Sequence, residues 1–495
     1  MRLPSGSRPT LFVGCEPNVL CDGAGWIQNL GSEARRVAPP DVLTVELEGR
    51  TLPGLGDAHL HLDELVLLRM GLDLRQTSSM KEVLELVRAA AGSTPPGQWI
   101  VGGGWNYSSW PTPELPTRYE LDEWAGDRPV LLASKDEHSV WVNSLALRLA
   151  GIGRATPDPK DGVILREAGG EPTGILREAR QLFSGLLPRP EPARYLELLA
   201  EVLSDLSQLG LCTVHAMDPP QTLFALQRLR RANRLPLRVV VNLPQAQLGA
   251  AAELGISSGW GDSNLRVWGV KAFLDGSLGS RTAEMLDGSG VARIQDPELE
   301  ELIQRCRANE LNLCLHAIGD GAVHRALVAL ERHRSAFPGW RPRIEHAQCV
   351  DPADIPRFRN SGAVASMQPI HAPADREMAD SIWAEKAGHA YAWGRLAQAG
   401  VPLAFGSDAP VESADPLLGM EAATRWRSEV GWYPELALSE ERALKAYTEG
   451  VAFAAGMEGE LGKLARGHRG DLTVVNQGQV TATVVQGRLI YQGSG

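Results

Sequence analysis

The chain has 495 residues, of which 43% are hydrophobic and 22% are charged. This composition is typical of a globular protein and excludes a disordered or fibrous one, and the length exceeds that of one small domain. The 60 acidic residues outnumber the 49 basic ones and give a net charge of −11, which argues against duplex nucleic acid or an anionic membrane as the main partner.

The six cysteines are scattered along the chain, and no two form a C-x-x-C pair. This pattern excludes a disulfide framework and a thiolate zinc knuckle and favours buried packing thiols. The first residues, MRLPSGSRPTLFVG, lack the continuous apolar stretch of a signal peptide, and no run of 18 apolar residues follows. The sequence therefore predicts a cytoplasmic protein.

We expect the two ends of the chain to form a small β-sandwich domain from residues 1–51 and 456–495. The closing segment GDLTVVNQGQVTATVVQGRLIYQGSG alternates apolar and polar residues between glycine turns, which is typical of strands joined by hairpins. The segment DVLTVELEGRTL could supply partner strands. Residues 14–40 look irregular, which leaves the completeness of this unit open.

A first buried strand is predicted at residues 52–62, and a long insertion follows it at about residues 75–200. The insertion contains Pro-rich segments such as STPPGQ and LLPRPEPAR, and five tryptophans lie between residues 99 and 141. Because a long insertion after a barrel strand usually covers the catalytic face, we expect it to lie over the functional site.

Seven more apolar, β-rich runs alternate with amphipathic helical segments. They lie at residues 210–218, 237–244, 265–276, 311–320, 341–348, 362–371 and 401–410. Strands buried on both faces and separated by helices are typical of parallel βαβ units. An open doubly wound sheet is the rival fold, but no G-x-G-x-x-G follows a strand. We therefore predict an α/β fold, a (β/α)8 TIM barrel over residues 52–455.

Side chains that can bind a metal recur at the ends of these predicted strands. His59 and His61 are two residues apart on the first strand, so both point to one face. The corresponding positions of later strands hold Lys271, His316, His346 and Asp408. Two histidines in a turn, or one satisfied core histidine per strand, would explain any one of these positions. Their convergence at one barrel mouth instead predicts a shared metal site.

Imidazole and carboxylate ligands without a thiolate favour zinc in a hydrolytic site, with Fe, Mn, Co or Ni as alternatives. Such a metal produces hydroxide from bound water at neutral pH and polarises a scissile carbonyl. Asp408 is the candidate general acid/base, because a nearby carboxylate can take the remaining proton and pass it to a leaving group.

The chain resembles the amidohydrolase superfamily of metal-dependent hydrolases, and more closely its amidohydrolase family 3, or YtcJ-like, branch. The resemblance runs from about residue 50 to the C terminus. It rests on motifs that occur in order, among them PGLGDAHLHL, GGGWNYSSWP, HSVWVNSLAL, KAFLDGSLGSRTA, HAIGDGA, RIEHAQ, SMQPIHAPAD and AFGSDAPVESADPL.

The resemblance implies a centre with one or two metal ions per chain. The ligands would be His59, His61 and Asp408 for the more buried ion and His316 and His346 for the second. Lys271 would bridge the two ions as an N-carboxylated (carbamate) lysine, and a bridging hydroxide would be the nucleophile. If Lys271 is unmodified, the site would hold one ion.

Five further residues near these motifs are candidates for binding the substrate: Trp105, His138, Arg281, His371 and Asp375. Each has an alternative role that the sequence leaves open. His138 could organise its own loop, Trp105 could pack inside the insertion, and Arg281 could form an ion pair within a loop. His371 and Asp375 could support the metal ligands instead of touching the substrate.

Together these features predict a metal-dependent hydrolase that cleaves the C–N bond of a linear or N-substituted amide. Its partner would be this small-molecule substrate, and a homo-oligomer is compatible with the sequence. A mononuclear-metal deaminase or cyclic amidase is the alternative among enzymes. A barrel that binds a metal or ligand without turnover is the alternative outside them.

Overall fold

The computed structural model describes residues 8–159 and 162–493. Its centre is an eight-stranded parallel sheet in which neighbouring strands follow one another along the chain. The strands are β1 (Leu55–Leu60), β2 (Leu211–Ala216), β3 (Arg238–Pro244), β4 (Leu265–Phe273), β5 (Asn312–Ala317), β6 (Arg343–His346), β7 (Val364–Met367) and β8 (Leu403–Phe405). Most of their residues are buried, because helices cover the outer face and side chains fill the interior.

The sheet closes into a barrel between its first and last strands. Just beyond β8, the Asp408 amide donates to the His59 carbonyl oxygen over 2.7 Å. The His61 amide donates to the Ala409 carbonyl oxygen over 2.8 Å. These bonds lie at the carboxyl ends of the strands, where barrel enzymes carry their active sites. The predicted (β/α)8 barrel with a long insertion after its first strand is confirmed.

The outer layer consists of helices that follow the strands. They are Leu62–Leu68 and Pro192–Gln208 before β2, Pro220–Arg231 after β2, Leu248–Glu253 after β3, Asp296–Ala308 after β4, Asp320–Glu331 after β5, Ile355–Ser361 after β6, His371–Ile382 and Trp393–Gln398 after β7, and Pro416–Ala423, Arg425–Val430, Glu440–Tyr447 and Glu449–Ala454 after β8. In Pro192–Gln208, the side chains of Leu199, Val202, Leu203 and Leu206 recur at helical spacing and join the barrel core. None of the described helices is long and apolar enough to cross a membrane.

The insertion after β1 contains a mixed six-stranded sheet of its own. In spatial order its strands are Val163–Arg166, Pro172–Arg177, Ser139–Val142, Val130–Ser134, Ile100–Trp105 and Leu72–Asp73. Its helices are Met80–Ser93, Arg118–Ala125 and Ser144–Leu149. Trp105, Trp110 and Trp141 form part of its core, which explains much of the tryptophan content of this segment. Residues 192–200, at the end of the predicted insertion, belong to a helix of the barrel.

Both ends of the chain contribute to one seven-stranded sheet. In spatial order its strands are Arg488–Gln492, Gln479–Val485, Leu472–Asn476, Leu43–Pro53, Thr10–Glu16, Val19–Cys21 and Ile27–Leu30. The helix Gly31–Val37 follows the strand Ile27–Leu30 along the chain. The stretch that looks irregular in the sequence therefore contains short strands, and their residues Cys21 and Ile27 are fully buried. All six cysteines lie within the described residues, and each is free and buried.

A buried ion pair joins this terminal sheet to the barrel. Arg238 Nη1 lies 2.6 Å from Asp471 Oδ2, and the Arg238 side chain is fully buried. Arg238 also donates to Thr213 Oγ1 over 3.0 Å and to the Ser263 carbonyl oxygen over 2.6 Å. The second oxygen of Asp471 accepts the Gln486 amide over 2.8 Å. The other partners of this ion pair are thus a hydroxyl group of the barrel and two backbone groups.

Candidate metal centre

The carboxyl ends of β1 and β8 bring together two histidines and an aspartate. His59 Nε2 lies 3.4 Å, and His61 Nε2 lies 3.2 Å, from the same oxygen of Asp408, Oδ1. Among the residues that the structure describes, these three offer ligand atoms that all lie within 4.8 Å of one another. Two imidazole nitrogens and a carboxylate oxygen suit zinc and similar divalent ions. The group therefore fits a divalent metal ion.

The backbone beyond β8 is shaped to present Asp408. The residue has a φ of 60°, in the left-handed region that is uncommon for non-glycine residues. Asp57 fixes the two strands beneath it, because its Oδ1 accepts the His59 amide over 2.9 Å and the Ser407 amide over 3.1 Å. Burial raises the pKa of Asp57 to about 7. Asp57 thus connects the end of β1 to the segment that follows β8.

Glu345, on β6, orients the ring of His59. His59 Nδ1 lies 2.6 Å from Glu345 Oε2, and both side chains are buried. Arg343 Nη2 donates to the same oxygen over 3.0 Å. Burial disfavours the ionised carboxyl, but the charge of Arg343 and the hydrogen bond with His59 hold the pKa of Glu345 well below its usual range. An ionised Glu345 accepts the Nδ1 hydrogen, which leaves the Nε2 lone pair of His59 for a metal.

Lys271, on β4, lies directly beside this histidine. Its Nζ is 3.2 Å from His59 Nε2 and 4.7 Å from the centre of the Phe273 ring. Burial lowers the pKa of Lys271, against the opposing charges of Glu345 and Asp408. A lowered pKa favours the neutral amine, the form that a carbamate requires. The position of Lys271 is compatible with a bridging carbamate, which stays a prediction.

His316 and His346 lie next to the first group. Their ring centres are 4.5 Å apart, and His346 is 4.9 Å from the ring of His59. His316 Nε2 lies 2.9 Å from the Gly276 carbonyl oxygen, and His346 Nδ1 lies 2.9 Å from Gln368 Oε1. Burial lowers the pKa of both histidines well below the usual value, so both rings are neutral. Each keeps one nitrogen for a ligand, and a second metal bound there stays a prediction.

Two further buried carboxylates, which sequence reasoning missed, hold the loops beyond the strands. Asp218 accepts the amides of Leu62 and Asp63 over 3.0 Å and 2.8 Å. Asp275 accepts the amide of Gly319 over 2.8 Å. Burial raises the pKa of both aspartates to about 7. The signal in the sequence is an aspartate just beyond an apolar strand, but a metal ligand gives the same signal.

A cavity over the barrel mouth lies between the barrel and the insertion. Its lining includes the candidate residues Trp105, His138, His371 and Asp375 together with His316, His346 and Asp408. Trp105 Nε1 donates to the Leu132 carbonyl oxygen over 2.9 Å, so this residue both packs in the insertion and faces the cavity. The Tyr391 hydroxyl donates to Asp375. The structure therefore brings four of the five predicted substrate residues to the cavity.

His138 extends from the insertion toward His316. Its ring centre is 5.6 Å from that of His316, and its Nδ1 lies 2.7 Å from Glu178 Oε1. Burial disfavours protonation, but the charge and hydrogen bond of Glu178 outweigh it and raise the pKa of His138 to about 9. His138 is therefore a cation at neutral pH.

Arg281 lies apart from this cavity. It is exposed, has a φ of 58° in the turn beyond β4, and is not among the described residues of the lining. The same turn contributes Ser277, whose hydroxyl donates to Asp136 Oδ2 over 2.8 Å. The turn thus presents a hydroxyl to the cavity, while the guanidinium of Arg281 faces the surface.

Comparisons with known proteins agree with this geometry. The amidohydrolase family model matches residues 43–491. The chain belongs to the amidohydrolase family. It is 31% identical, over 95% of each chain, to a Bacillus subtilis protein that carries the name amidohydrolase YtcJ. It is 28% identical to the N-substituted formamide deformylase of Arthrobacter pascens, over 97% of this chain and 96% of that one.

A solved structure extends the agreement to three dimensions. A metal-dependent hydrolase from Pyrococcus furiosus superposes with a TM-score of 0.74 at 29% identity, covering 95% of this chain and 99% of that chain. The family resemblance predicted from the sequence is confirmed. The protein is a metal-dependent hydrolase that acts on carbon–nitrogen bonds, and its cofactor is a divalent metal.

Proposed function

We propose that the protein hydrolyses the C–N bond of a linear or N-substituted amide, with zinc as its metal. The observation that carries the proposal is the convergence of His59, His61 and Asp408, of which Asp408 lines the cavity over the barrel mouth. The full-length similarity to a protein named N-substituted formamide deformylase supports an N-substituted amide as the substrate class.

The chain offers ligands for one ion and candidates for a second. His59, His61 and Asp408 would hold the first, and His316, His346 and a carboxylated Lys271 would complete the second. When bound, the metal supplies Lewis acidity that polarises the scissile carbonyl and makes water acidic. Glu345 would keep the Nε2 lone pair of His59 directed at its ion.

Asp408 would move the proton in this reaction. Burial opposes its ionisation, but electrostatic attraction by His59 and the hydrogen bond from His61 hold the pKa of Asp408 well below its usual range. The ionised carboxylate can take a proton from the attacking water and give it to the nitrogen as the C–N bond breaks. The products are then a carboxylic acid and an amine.

The insertion would cover the reacting groups and limit the access of water. Arg180, on the insertion, lies 3.2 Å from Glu64 of the barrel and 2.7 Å from Glu137 of its own loop. Lys135 forms an ion pair with Glu412, in the loop after β8. These contacts hold the covering segment against the helix that follows β1 and the loop that follows β8. Exclusion of water by this segment would strengthen the electrostatic interactions in the site.

Metal content and turnover together test this function. We expect elemental analysis of the purified protein to find zinc, and we expect a panel of linear and N-substituted amides to include a substrate that yields acid and amine in equal amounts. A chelator should abolish turnover, and added zinc should restore it. Bound metal without turnover of any amide, ester or deaminase substrate would instead support a non-catalytic binding barrel.

A one-metal deaminase or cyclic amidase is the second candidate, because the compact group of ligands contains three residues. Lys271→Ala distinguishes the two. If Lys271 bridges two ions, the variant loses one metal equivalent, and a short carboxylic acid partly restores activity. A metal content that equals that of the wild type contradicts the bridge.

A further inference from the structure

One carboxylate in the wall of the cavity over the barrel mouth forms no ion pair with any residue that the structure describes. Asp375 lies on the helix His371–Ile382, is half-buried, and lines this cavity. The Tyr391 hydroxyl donates to its Oδ2, and among the described residues its Oδ1 has no hydrogen-bond partner. This second oxygen is not fully buried, so a ligand in the cavity can reach it. A partly buried carboxylate without a cation is unfavourable, which makes Asp375 a candidate to bind one.

The helix fixes where Asp375 lies relative to the metal centre. His371, Ala374, Asp375 and Met378 are spaced as i, i+3, i+4 and i+7, and all four line the cavity. This stripe begins at His371, whose Nε2 lies 4.0 Å from Asp408 Oδ2. Residues four apart on a helix have Cβ atoms about 5–6 Å apart. Asp375 is therefore one helical turn beyond the residue that approaches Asp408.

The charges around Asp375 favour a further cation in the cavity. Lys135 and Glu412 line the same cavity, and they form an ion pair with each other. Both act electrostatically on Asp375, and the negative charge of Glu412 opposes the positive charge of Lys135. This part of the wall thus holds two carboxylates and one ammonium ion. Burial raises the pKa of Asp375, as expected for a carboxylate whose charge is incompletely balanced.

We propose that Asp375 binds a cationic amino group of the substrate, so that the preferred amide carries an ammonium ion joined to the scissile bond by an alkyl chain. This inference rests on the proposed hydrolysis of amides and narrows its substrate class to amino-substituted amides. The ammonium ion would donate to Oδ1 of Asp375, while Tyr391 holds the other oxygen. The alkyl chain would lie against apolar side chains of the lining, which include Leu278, Ile318 and Val411.

The charge of the remote group decides between substrates. The Asp375 carboxylate attracts an ammonium ion, is left unpaired by a methyl group of similar size, and repels a second carboxylate. Because the ammonium ion is remote from the scissile bond, its contact is the same in the bound substrate and in the transition state. Such uniform binding lowers KM and leaves kcat nearly unchanged. A substrate-binding role therefore differs in its kinetics from a role in the chemical step.

The first measurement uses the metal-loaded, full-length wild type and two matched series of amides. With the charge on the amine side, the series is N-(ω-aminobutyl)acetamide, the neutral N-pentylacetamide and the anionic ω-acetamidopentanoate. With the charge on the acyl side, the pair is N-methyl-ω-aminopentanamide and N-methylhexanamide. Both series are repeated with alkyl chains of two to six methylene groups. In at least one series we expect kcat/KM for the cation to exceed that of the neutral amide about 10- to 100-fold.

The second measurement uses Asp375→Asn, which removes the charge and keeps an oxygen for the Tyr391 hydroxyl. We expect the preference for the cation to fall about 10- to 100-fold, mainly through KM. We expect kcat/KM for the neutral amide to change by less than about 3-fold. The matched control is Asp380→Asn, which removes the same charge from the same helix and should keep the preference. Asp380 accepts the Trp432 indole hydrogen over 2.8 Å and is not among the described residues of the lining.

The preference is a ratio measured within one protein preparation, so it does not depend on how much of a variant folds. A wild type that does not prefer the cation in either series would overturn the inference and leave the proposed function standing. An Asp375→Asn variant that keeps the wild-type preference would do the same. A wild type that cleaves no amide of either series or of the wider panel would overturn the proposed function and this inference with it.

Discussion

Two buried arginine–carboxylate pairs lie in different regions of the barrel and differ in the groups that they touch. Beneath the metal centre, Arg343 holds Glu345, and Glu345 holds the ring of His59. At the terminal sheet, Arg238 holds Asp471, whose other oxygen accepts a backbone amide. The first pair thus contacts a candidate metal ligand, whereas the second contacts the backbone of the framework. Both pairs stabilise the fold, and the pair beneath the metal centre also orients a candidate metal ligand.

The strongest test of the functional region is Asp408→Asn. Asparagine keeps the shape of the side chain but cannot take up the proton, so we expect kcat to fall by roughly 10²- to 10⁴-fold. The fold should still melt cooperatively, which circular dichroism can follow. Turnover near the wild-type rate would contradict the assignment of Asp408 as general acid/base.

The strongest test of the structural region is Asp471→Asn. The substitution keeps the oxygen that accepts the Gln486 amide but leaves the buried charge of Arg238 uncompensated, so we expect a loss of about 3–5 kcal/mol in unfolding free energy. Denaturant titration measures it. Glu197→Gln is the matched control, because it breaks an exposed pair with Arg234 and should cost less than about 1 kcal/mol. Equal effects of the two variants would remove the distinction between buried and exposed pairs.

Glu345→Gln tests whether the two buried pairs differ in kind. Without the carboxylate, His59 loses the acceptor that fixes its tautomer, so we expect zinc affinity to fall about 10- to 100-fold. Competition with a chromogenic chelator measures this affinity. Asp471→Asn should leave it unchanged, and a similar loss of affinity in both variants would show that the pairs are not functionally distinct.

The smallest expected effect concerns the pH dependence of stability through His138. Its pKa is about 9 in the folded protein and about 6.5 in an unfolded chain, so its contribution is fully present below pH 6.5 and is lost as the pH rises toward 9. We expect His138→Gln to flatten the decline in Tm between these two pH values by a few degrees. Parallel Tm profiles of variant and wild type would contradict the raised pKa.

The sequence predicts the barrel well because strands buried on both faces form apolar runs that few other structures require. It also predicts the first ligand group, because His59, His61 and Asp408 interrupt or follow such runs. It does not reveal Arg343 or Glu345, since a charged residue within a short strand becomes favourable only through partners that are distant in sequence.

Conformation explains the remaining differences. Arg281 follows a motif rich in serine and glycine, as a substrate-binding arginine could, but its left-handed backbone turns the side chain outward. The strands Val19–Cys21 and Ile27–Leu30 have three and four residues, too few for a clear alternation of apolar and polar residues. Their stability comes from pairing with neighbours in the terminal sheet, which a local pattern does not show.

The contact between the first and last barrel strands also limits when the candidate ligand group can form during synthesis. The Asp408 amide bonds to His59, so the same contact joins the first strand to the last and unites the ligands of the first group. A nascent chain cannot form this group until Asp408 has been synthesised. The strand Leu43–Pro53 likewise pairs with the strand Leu472–Asn476, which is synthesised much later. Metal binding by this candidate group would therefore require both the first and the last strand of the barrel.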